Sequence, residues 1–329
     1  MSEFDIIREI FAPLSADAPG AFGLGDDAAL LEGERFIFTK DVLVAGVHFL
    51  PKDPPDLIAR KLIRANLSDL AAKGARPVGY FLGCAWPQKT KRADIEAFAR
   101  GLKEDQDQFR IALYGGDTTV HSLKSAPLTL SATFFGTPPK QGMTARSGAA
   151  LSDDLYVSGT IGDAGLGLAA LKKEFKFTTV DKASLAGRYH LPEPRLSLGA
   201  ALAGLATAAI DVSDGLLADA AHLARASNLR AEIDAISIPR SAGAASWVAA
   251  QDHRWKALAQ LASFGDDYEI LFAAPSAMRR SVAVAAKASR TEVSRIGTLT
   301  RGEGVLFLDE AGSPIQMART GFDHFAKRG

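Results

Sequence analysis

Two aspartates three residues apart close the run Ala208-Ala209-Ile210-Asp211-Val212-Ser213-Asp214-Gly215-Leu216-Leu217. The apolar start of this run reads as a short buried strand, and Leu216 to Ala226 carries apolar residues at helical spacing. Where a strand end meets a helix start, backbone N–H groups lack partners, so metals or phosphates can be held there. Taken alone, Ser213 or Asp214 could equally cap the helix.

Four more aspartates repeat the pattern of an acid at or near the end of an element. Asp27 follows a glycine turn, and Asp41 and Asp117 follow apolar strands. Asp69 differs, lying inside the helix Leu57 to Lys73 on one polar stripe with Asn66 and Lys73. Each singly fits a turn, a cap or a solvated helix face. Together they read as converging carboxylates, which repel and must be neutralised. No excess of basic residues surrounds them, so hard divalent cations are the natural answer. Oxygen-only ligands select Mg²⁺ over zinc or copper, and Mg²⁺ shares its shell with water and substrate phosphates. The pattern therefore predicts a phosphoryl-transfer site drawn from both halves of the chain.

The 329 residues exceed what one core usually serves, which predicts two domains. Gly136 to Ser152, rich in Gly and containing Pro138-Pro139, marks the boundary, giving residues 1–140 and 141–329. Lys plus Arg equals Asp plus Glu at 38 each, so no overall field draws nucleic acid or an anionic membrane. The single cysteine, Cys84, excludes an intrachain disulfide and reads as a small buried hydrophobe. Met1 to Phe11 lacks a signal-peptide core and no apolar run reaches spanning length, so a cytoplasmic protein is expected.

The elements that must position these acids alternate irregularly. Strands are expected at Arg35 to Thr39, Val78 to Trp86, Arg110 to Tyr114, Pro127 to Phe135, Leu155 to Ser158, Val293 to Ile296 and Gly304 to Leu308. Helices are expected at Glu3 to Phe11, Leu57 to Lys73, Arg92 to Asp107, Gly165 to Glu174, Leu196 to Ala206 and Met278 to Ala288, with a less regular stretch reaching Pro194. This order favours mixed α/β (α+β) domains over a doubly wound parallel sheet. No P-loop, H-E-x-x-H or paired-cysteine motif occurs. Gly165-Leu166-Gly167-Leu168-Ala169-Ala170 fits a dinucleotide fingerprint, but reads better as close helix packing through small residues.

The chain resembles the thiamine-monophosphate kinase family, part of the superfamily of aminoimidazole ribonucleotide synthetase. The resemblance runs in order through Gly25-Asp26-Asp27-Ala28-Ala29, Asp41 to Phe49, Asn66 to Ala72, Gly115-Gly116-Asp117-Thr118 and Arg146-Ser147-Gly148-Ala149. It continues through Ile210 to Leu216, Gly265-Asp266-Asp267-Tyr268-Glu269 and Gly321-Phe322-Asp323-His324-Phe325. It implies a two-domain synthetase-like fold whose N-terminal domain forms a homodimer. Asp27, Thr39, Lys40, Asp41, Asp69, Asp117, Asp211 and Asp214 would hold Mg²⁺, Lys40 through its backbone. Gly116, Asp117, Arg146 and Ser213 would contact ATP, and His48, Asp266 and Phe322 would line the thiamine monophosphate pocket. Asp117, Arg146 and Asp211 would carry the catalytic step. The chain departs from the family at Asp266, usually Glu, at Phe322, often Trp or Tyr, and at Leu191, usually Arg.

The implied reaction moves the γ-phosphoryl group of ATP to the phosphate of thiamine monophosphate, giving thiamine diphosphate and ADP. A phosphate acceptor with a second pKa of about 6 is largely a dianion at neutral pH, so no general base is needed. Two other readings stay open from the residues alone. One is another ATP-using synthetase of the superfamily, and the other is a non-catalytic metal- and nucleotide-binding regulator.

Overall fold

The computed structural model describes residues 22, 25, 26, 29–31, 35–317 and 320–322. The helix expected at Glu3 to Phe11, together with Asp27 and His324, lies outside these residues. The first half of the chain lays down β1 (Ala29–Leu31), β2 (Phe36–Val44), α1 (Pro55–Ala72), β3 (Arg76–Trp86), α2 (Arg92–Phe109), β4 (Ala112–Val120) and β5 (Thr129–Thr137). The five strands form one sheet in the order β1-β2-β5-β3-β4, antiparallel except for the parallel pair β3 and β4. Residues of β2 alternate: Ile37, Thr39 and Leu43 are buried against α1, while Lys40 and Val42 face outward. Ile58, Leu62, Ile63, Leu67 and Leu70 of α1 meet Tyr80, Leu82, Leu130 and Phe134 on the sheet's inner face.

The second half comprises β6 (Asp154–Ser158), α3 (Asp163–Leu171), α4 (Thr179–His190), α5 (Leu196–Leu202), β7 (Ala208–Asp211), α6 (Leu216–Ala226), β8 (Arg230–Asp234), α7 (Ala242–Ala249), α8 (Arg254–Ala262), β9 (Ile270–Ala274), α9 (Arg279–Ser289), β10 (Val293–Thr300) and β11 (Val305–Leu308). Its six strands order as β11-β8-β10-β6-β9-β7, with β11 and β8 the parallel pair. A large core of Leu155, Val157, Leu216, Leu217, Leu223, Leu258 and Leu271 fills one face of this sheet. A smaller core on the other face, with Tyr156, Leu198, Leu202 and Phe272, takes in Ala71 of α1. The helix of the first half thus packs on the sheet of the second. Gly199 makes this possible, since a Cβ there would lie 1.8 Å from the Ala71 carbonyl oxygen.

The irregular mixed α/β order is borne out, with several local differences. β2 runs past Thr39 to Val44, and β4 runs through Gly115-Gly116-Asp117-Thr118-Thr119 to Val120, so Asp41 and Asp117 lie inside strands rather than after them. Pairing with β5 and β3 extends both strands beyond their apolar segments. The stretch before Pro194 contains a full helix, α4, whose N-terminus is capped by the Thr178 hydroxyl accepting from the Asp181 N–H. Asn66 and Lys73 of the polar stripe are fully buried, because the second half covers that face of α1. The small residues of the Gly165 motif are spent on packing: a Cβ on Gly167 would meet the Leu185 carbonyl of α4 at 2.1 Å.

Candidate active site

A cavity of about 210 Å³ opens between the two sheets. Thr39, Lys40 and Asp41 of β2, Asp69 of α1, Arg146, and Asp211, Ser213 and Asp214 line it. These come from both halves of the chain. Their convergence follows from the packing of α1 on the second sheet, which sets Asp69 opposite the end of β7. The Thr39 hydroxyl donates to Asp69 Oδ2 at 2.5 Å, fixing that carboxylate against β2. Lys40 turns its ammonium outward to Ser131 Oγ and leaves only its near end at the cavity. Asp219 and His222 of α6 also line the cavity, and neither was singled out from the sequence.

The loop after β7 is held by its own carboxylate clamp. Asp219 is buried, and its Oδ2 accepts from three successive N–H groups, Ser213 at 3.0 Å, Asp214 at 3.1 Å and Gly215 at 3.2 Å. This is where a helix N-terminus favours negative charge. The helix is therefore capped by an acid reaching back from inside it, not by Ser213 or Asp214. A carboxylate four residues after Gly215 was the available signal, by analogy with a capping box.

The same loop anchors two further segments. The Asp266 N–H donates to the Ser213 carbonyl at 2.8 Å, and the Tyr268 N–H donates to the Val212 carbonyl at 2.8 Å. The Phe322 N–H donates to the Asp214 carbonyl at 2.9 Å. Glu269, fully buried, pins the 266–269 segment from behind. It accepts from Arg195 twice at 2.7 Å, from Arg188 at 2.6 Å and from the Ser158 hydroxyl at 2.6 Å. Asp267 turns away from the site and accepts from the Gly162 and Ala164 N–H groups at the start of α3, and its burial raises its pKa well above the usual range. Tyr268 faces the acids instead. Burial, then the charges of Asp266, Asp41, Asp211 and Asp69, push its phenol well up, so it stays protonated among carboxylates.

On the other side of α1 the His48 turn follows β2. His48 Nδ1 accepts the Val44 N–H at 3.0 Å, which leaves Nε2 to carry the proton of the neutral ring. Asp266 reaches this turn through Lys61, whose Nζ lies 2.7 Å from Asp266 Oδ2. Arg146 is placed by its backbone: its N–H donates to Asp26 Oδ2 at 2.9 Å, while Asp26 Oδ1 pairs with buried Lys73 at 2.8 Å.

Gly116 and Asp117 are the expected site residues that the fold does not bring to the cavity. They sit on β4, the edge strand three places from β2 and about 14 Å along the sheet at ordinary strand spacing. Asp117 is exposed and accepts from its neighbour Thr118 N–H. His48, Asp266 and Phe322 flank the cavity rather than line it. Among the described residues no three acids already converge on one point as a finished cation cage.

The chain matches AIR synthase related protein, N-terminal domain, over residues 25–137 and AIR synthase related protein, C-terminal domain, over residues 152–309. A curated thiamine-monophosphate kinase of Caulobacter vibrioides is 48% identical over 307 residues, covering 92% of this chain and 86% of the relative. Another, of Escherichia coli, is 36% identical and covers 98% of each chain. A solved structure described as AaThiL complexed with AMPPCP and TMP matches with a TM-score of 0.83 at 28% identity, covering 98% of this chain and 97% of that one. A thiamine-monophosphate kinase from Stenotrophomonas maltophilia K279a matches with a TM-score of 0.75 at 38% identity, covering 93% and 97%. A HypE–HypF complex matches with a TM-score of 0.76 at 16% identity over 96% of this chain and 99% of that one, a likeness of fold alone.

Proposed function

Because this chain belongs to the AIR synthase related proteins and, within them, to the thiamine-monophosphate kinases, we propose that it transfers the γ-phosphoryl group of ATP to the phosphate of thiamine monophosphate. The products are thiamine diphosphate and ADP. One observation carries this reading. The loop Ser213–Gly215 lines an acidic cavity and, through its carbonyls, holds both Asp266 and Phe322 at that cavity's rim.

Two polyanions must meet, and the acceptor needs no deprotonation. Asp41, Asp69, Asp211 and Asp214, with Thr39 and the Lys40 main chain, offer only oxygen donors at this cavity, a set that fits Mg²⁺. When bound, Mg²⁺ supplies neutralisation of the facing phosphates and their alignment. Asp27 is assigned to the same set by resemblance and lies outside the described residues. Arg146 and the Ser213 hydroxyl would face the nucleotide phosphates, Arg146 adding charge that strengthens as the transferring group becomes more anionic in the transition state. His48, Asp266 and Phe322 would hold the acceptor, with Asp266 and the Phe322 ring toward its cationic thiazolium.

The working unit we propose is a homodimer formed through the N-terminal halves, residues 1–140, with 141–329 completing the nucleotide and substrate site. The outer face of the five-stranded sheet supports this. Val42, Phe81 and Tyr114 are all more than 40% exposed there, and Phe36, Phe38, Phe81, Tyr114 and Phe135 form one aromatic cluster. In such a dimer the exposed β4 of each chain would offer Gly116 and Asp117 to the partner's cavity. Among the described residues no helix is long and apolar enough to cross a membrane, consistent with work in the cytoplasm.

The test is direct. Purified protein with ATP, Mg²⁺ and thiamine monophosphate should form thiamine diphosphate, resolved by chromatography, and EDTA should abolish the product. Absence of thiamine diphosphate with Mg²⁺ present, or full turnover in chelated metal-free buffer, would overturn the reading.

A further inference from the structure

Lys61 has no part in the site described so far, yet it touches two of its residues. It sits in α1 with 3% of its side chain exposed. Its Nζ donates to Asp266 Oδ2 at 2.7 Å and to the His48 carbonyl at 3.0 Å, and lies 3.9 Å from the centroid of the Tyr189 ring. A buried ammonium is costly unless paired, and these acceptors and the aromatic face pair it. The acceptors come from opposite halves of the chain, 205 positions apart for Asp266 and 13 for His48.

We infer that Lys61 is a positioning residue for thiamine monophosphate, fixing the Asp266 carboxylate and the His48 turn in one geometry. This rests on the assignment of Asp266 and His48 to that substrate. The seat of the ammonium is itself braced. The Tyr189 hydroxyl accepts the Leu50 N–H at 3.1 Å and donates to Asp53 Oδ2 at 3.1 Å, so the ring beneath Nζ is held from the His48 side. The Asp266 backbone has a φ of +69°, unusual for a residue with a Cβ, and its side chain is 31% exposed. Oδ2 is taken by Lys61, and Oδ1 accepts a long hydrogen bond of 3.5 Å from the Tyr268 hydroxyl, so both oxygens are oriented from within the chain.

The ion pair has a consequence of definite sign. Were Asp266 to act by its charge alone, removing the neighbouring ammonium would strengthen attraction for a cationic ring. Acting by position, the freed carboxylate would swing and bind it less well.

Lys61→Met keeps the apolar stem and removes the charge, and Lys61→Gln keeps a donor. For both, and in an Asp266→Asn background, the measurements are the KM values for thiamine monophosphate and for ATP, kcat, and the melting temperature. Lys61→Met should raise the KM for thiamine monophosphate by about tenfold or more, as a misplaced contact does, and leave the KM for ATP within about twofold. Lys61→Gln should raise it less. In the Asp266→Asn background Lys61→Met should add about twofold or less, because the two act as one unit. A wild-type or lower KM in Lys61→Met, where Asp266→Asn alone raises it, overturns the inference and leaves the Asp266 assignment standing. An unchanged KM in Asp266→Asn removes that assignment and the inference with it. If Lys61→Met does not fold, an unchanged KM in Lys61→Gln is equally decisive against Lys61.

Discussion

Asp41 and Asp117 point to opposite faces of one sheet. Asp41 pairs with Ala132, Ala132 with Leu82, and Leu82 with Gly116, so Gly116 shares its face and Asp117 does not. Asp117 pairs with Gly83 on the outward side, the face that also bears the exposed Phe81 and Val42.

This geometry predicts complementation between inactive subunits. If both acids hold Mg²⁺ as proposed, Asp117→Asn and Asp211→Asn should each lower turnover by orders of magnitude, since each removes a carboxylate charge and keeps the shape. If Asp117 serves the partner's cavity, a mixed dimer has one cavity with both lesions and one with neither. Co-refolding equal amounts of the two variants should then restore about a quarter of wild-type turnover, given random pairing in a two-fold dimer. Were Asp117 to serve its own chain, every cavity of a mixed dimer would carry one lesion and no activity would return.

The Asp219 clamp predicts a graded series. Asp219→Ala leaves three N–H groups of a half-buried loop without their acceptor, and one such loss costs up to about 1–3 kcal/mol where the group is buried, as at Gly215. The loop carries Ser213 and Asp214 and anchors Asp266 and Phe322, so turnover and melting temperature should both fall. Asp219→Asn keeps an oxygen acceptor and should lie between Ala and wild type in both assays. Equal turnover in all three proteins would show that the loop keeps its shape without the clamp.

Asp154 predicts a pH-dependent contribution to stability. The side chain is buried, and the Arg279 guanidinium, bonded to both its oxygens at 2.7 and 2.8 Å, holds its pKa below the usual value against the opposing effect of burial. A carboxylate lowered in the folded state stabilises the fold above its unfolded pKa of about 3.9, and that stability is lost as pH falls through the folded pKa. Asp154→Asn should therefore melt lower than wild type at pH 7, with the gap closing below about pH 4. A gap that stays constant into acid would mean that packing, not charge, is what the substitution disturbs.

The sequence makes most of the acids legible because they stand at or near the end of an apolar run, as Asp211 does after Ala208-Ala209-Ile210, while Asp69 is legible only as part of a polar stripe on a helix. It makes the helix α1 legible from Leu57 onward, although the helix begins two residues earlier at Pro55. It does not reveal that α1 packs on the second sheet, a tertiary contact that depends on Gly199 approaching Ala71. For that reason the polar stripe of Asn66, Asp69 and Lys73 does not disclose from sequence that Asn66 and Lys73 are buried. Lys61 was illegible for the same reason, since its partners Asp266 and Tyr189 are distant in sequence. Asp117 reads as an acid just after a strand and lies inside β4, and strand order decides which face and which edge it occupies, which a single motif does not contain.

Phe322 offers a test of how the chain recognises its acceptor. Its N–H is tied to the Asp214 carbonyl at 2.9 Å, while 47% of the residue is exposed. The main chain is therefore anchored at the loop after β7, and a change of side chain leaves that anchor in place. Thiamine monophosphate brings a cationic ring, for which an aromatic face is worth about 0.5–2 kcal/mol, with Trp stronger than Phe. Phe322→Ala should weaken binding of thiamine monophosphate by roughly two- to thirtyfold, that interval expressed as affinity. Phe322→Trp should bind as well as wild type or better, since the exposed side leaves room for a larger ring. Affinity for a non-hydrolysable ATP analogue should stay the same in all three proteins if Arg146 and Ser213 hold the nucleotide as proposed. Calorimetric titration of each ligand separates the cases. An unchanged thiamine monophosphate affinity in Phe322→Ala, or a loss confined to the nucleotide, would make the ring a packing residue and move substrate recognition onto Asp266 and His48.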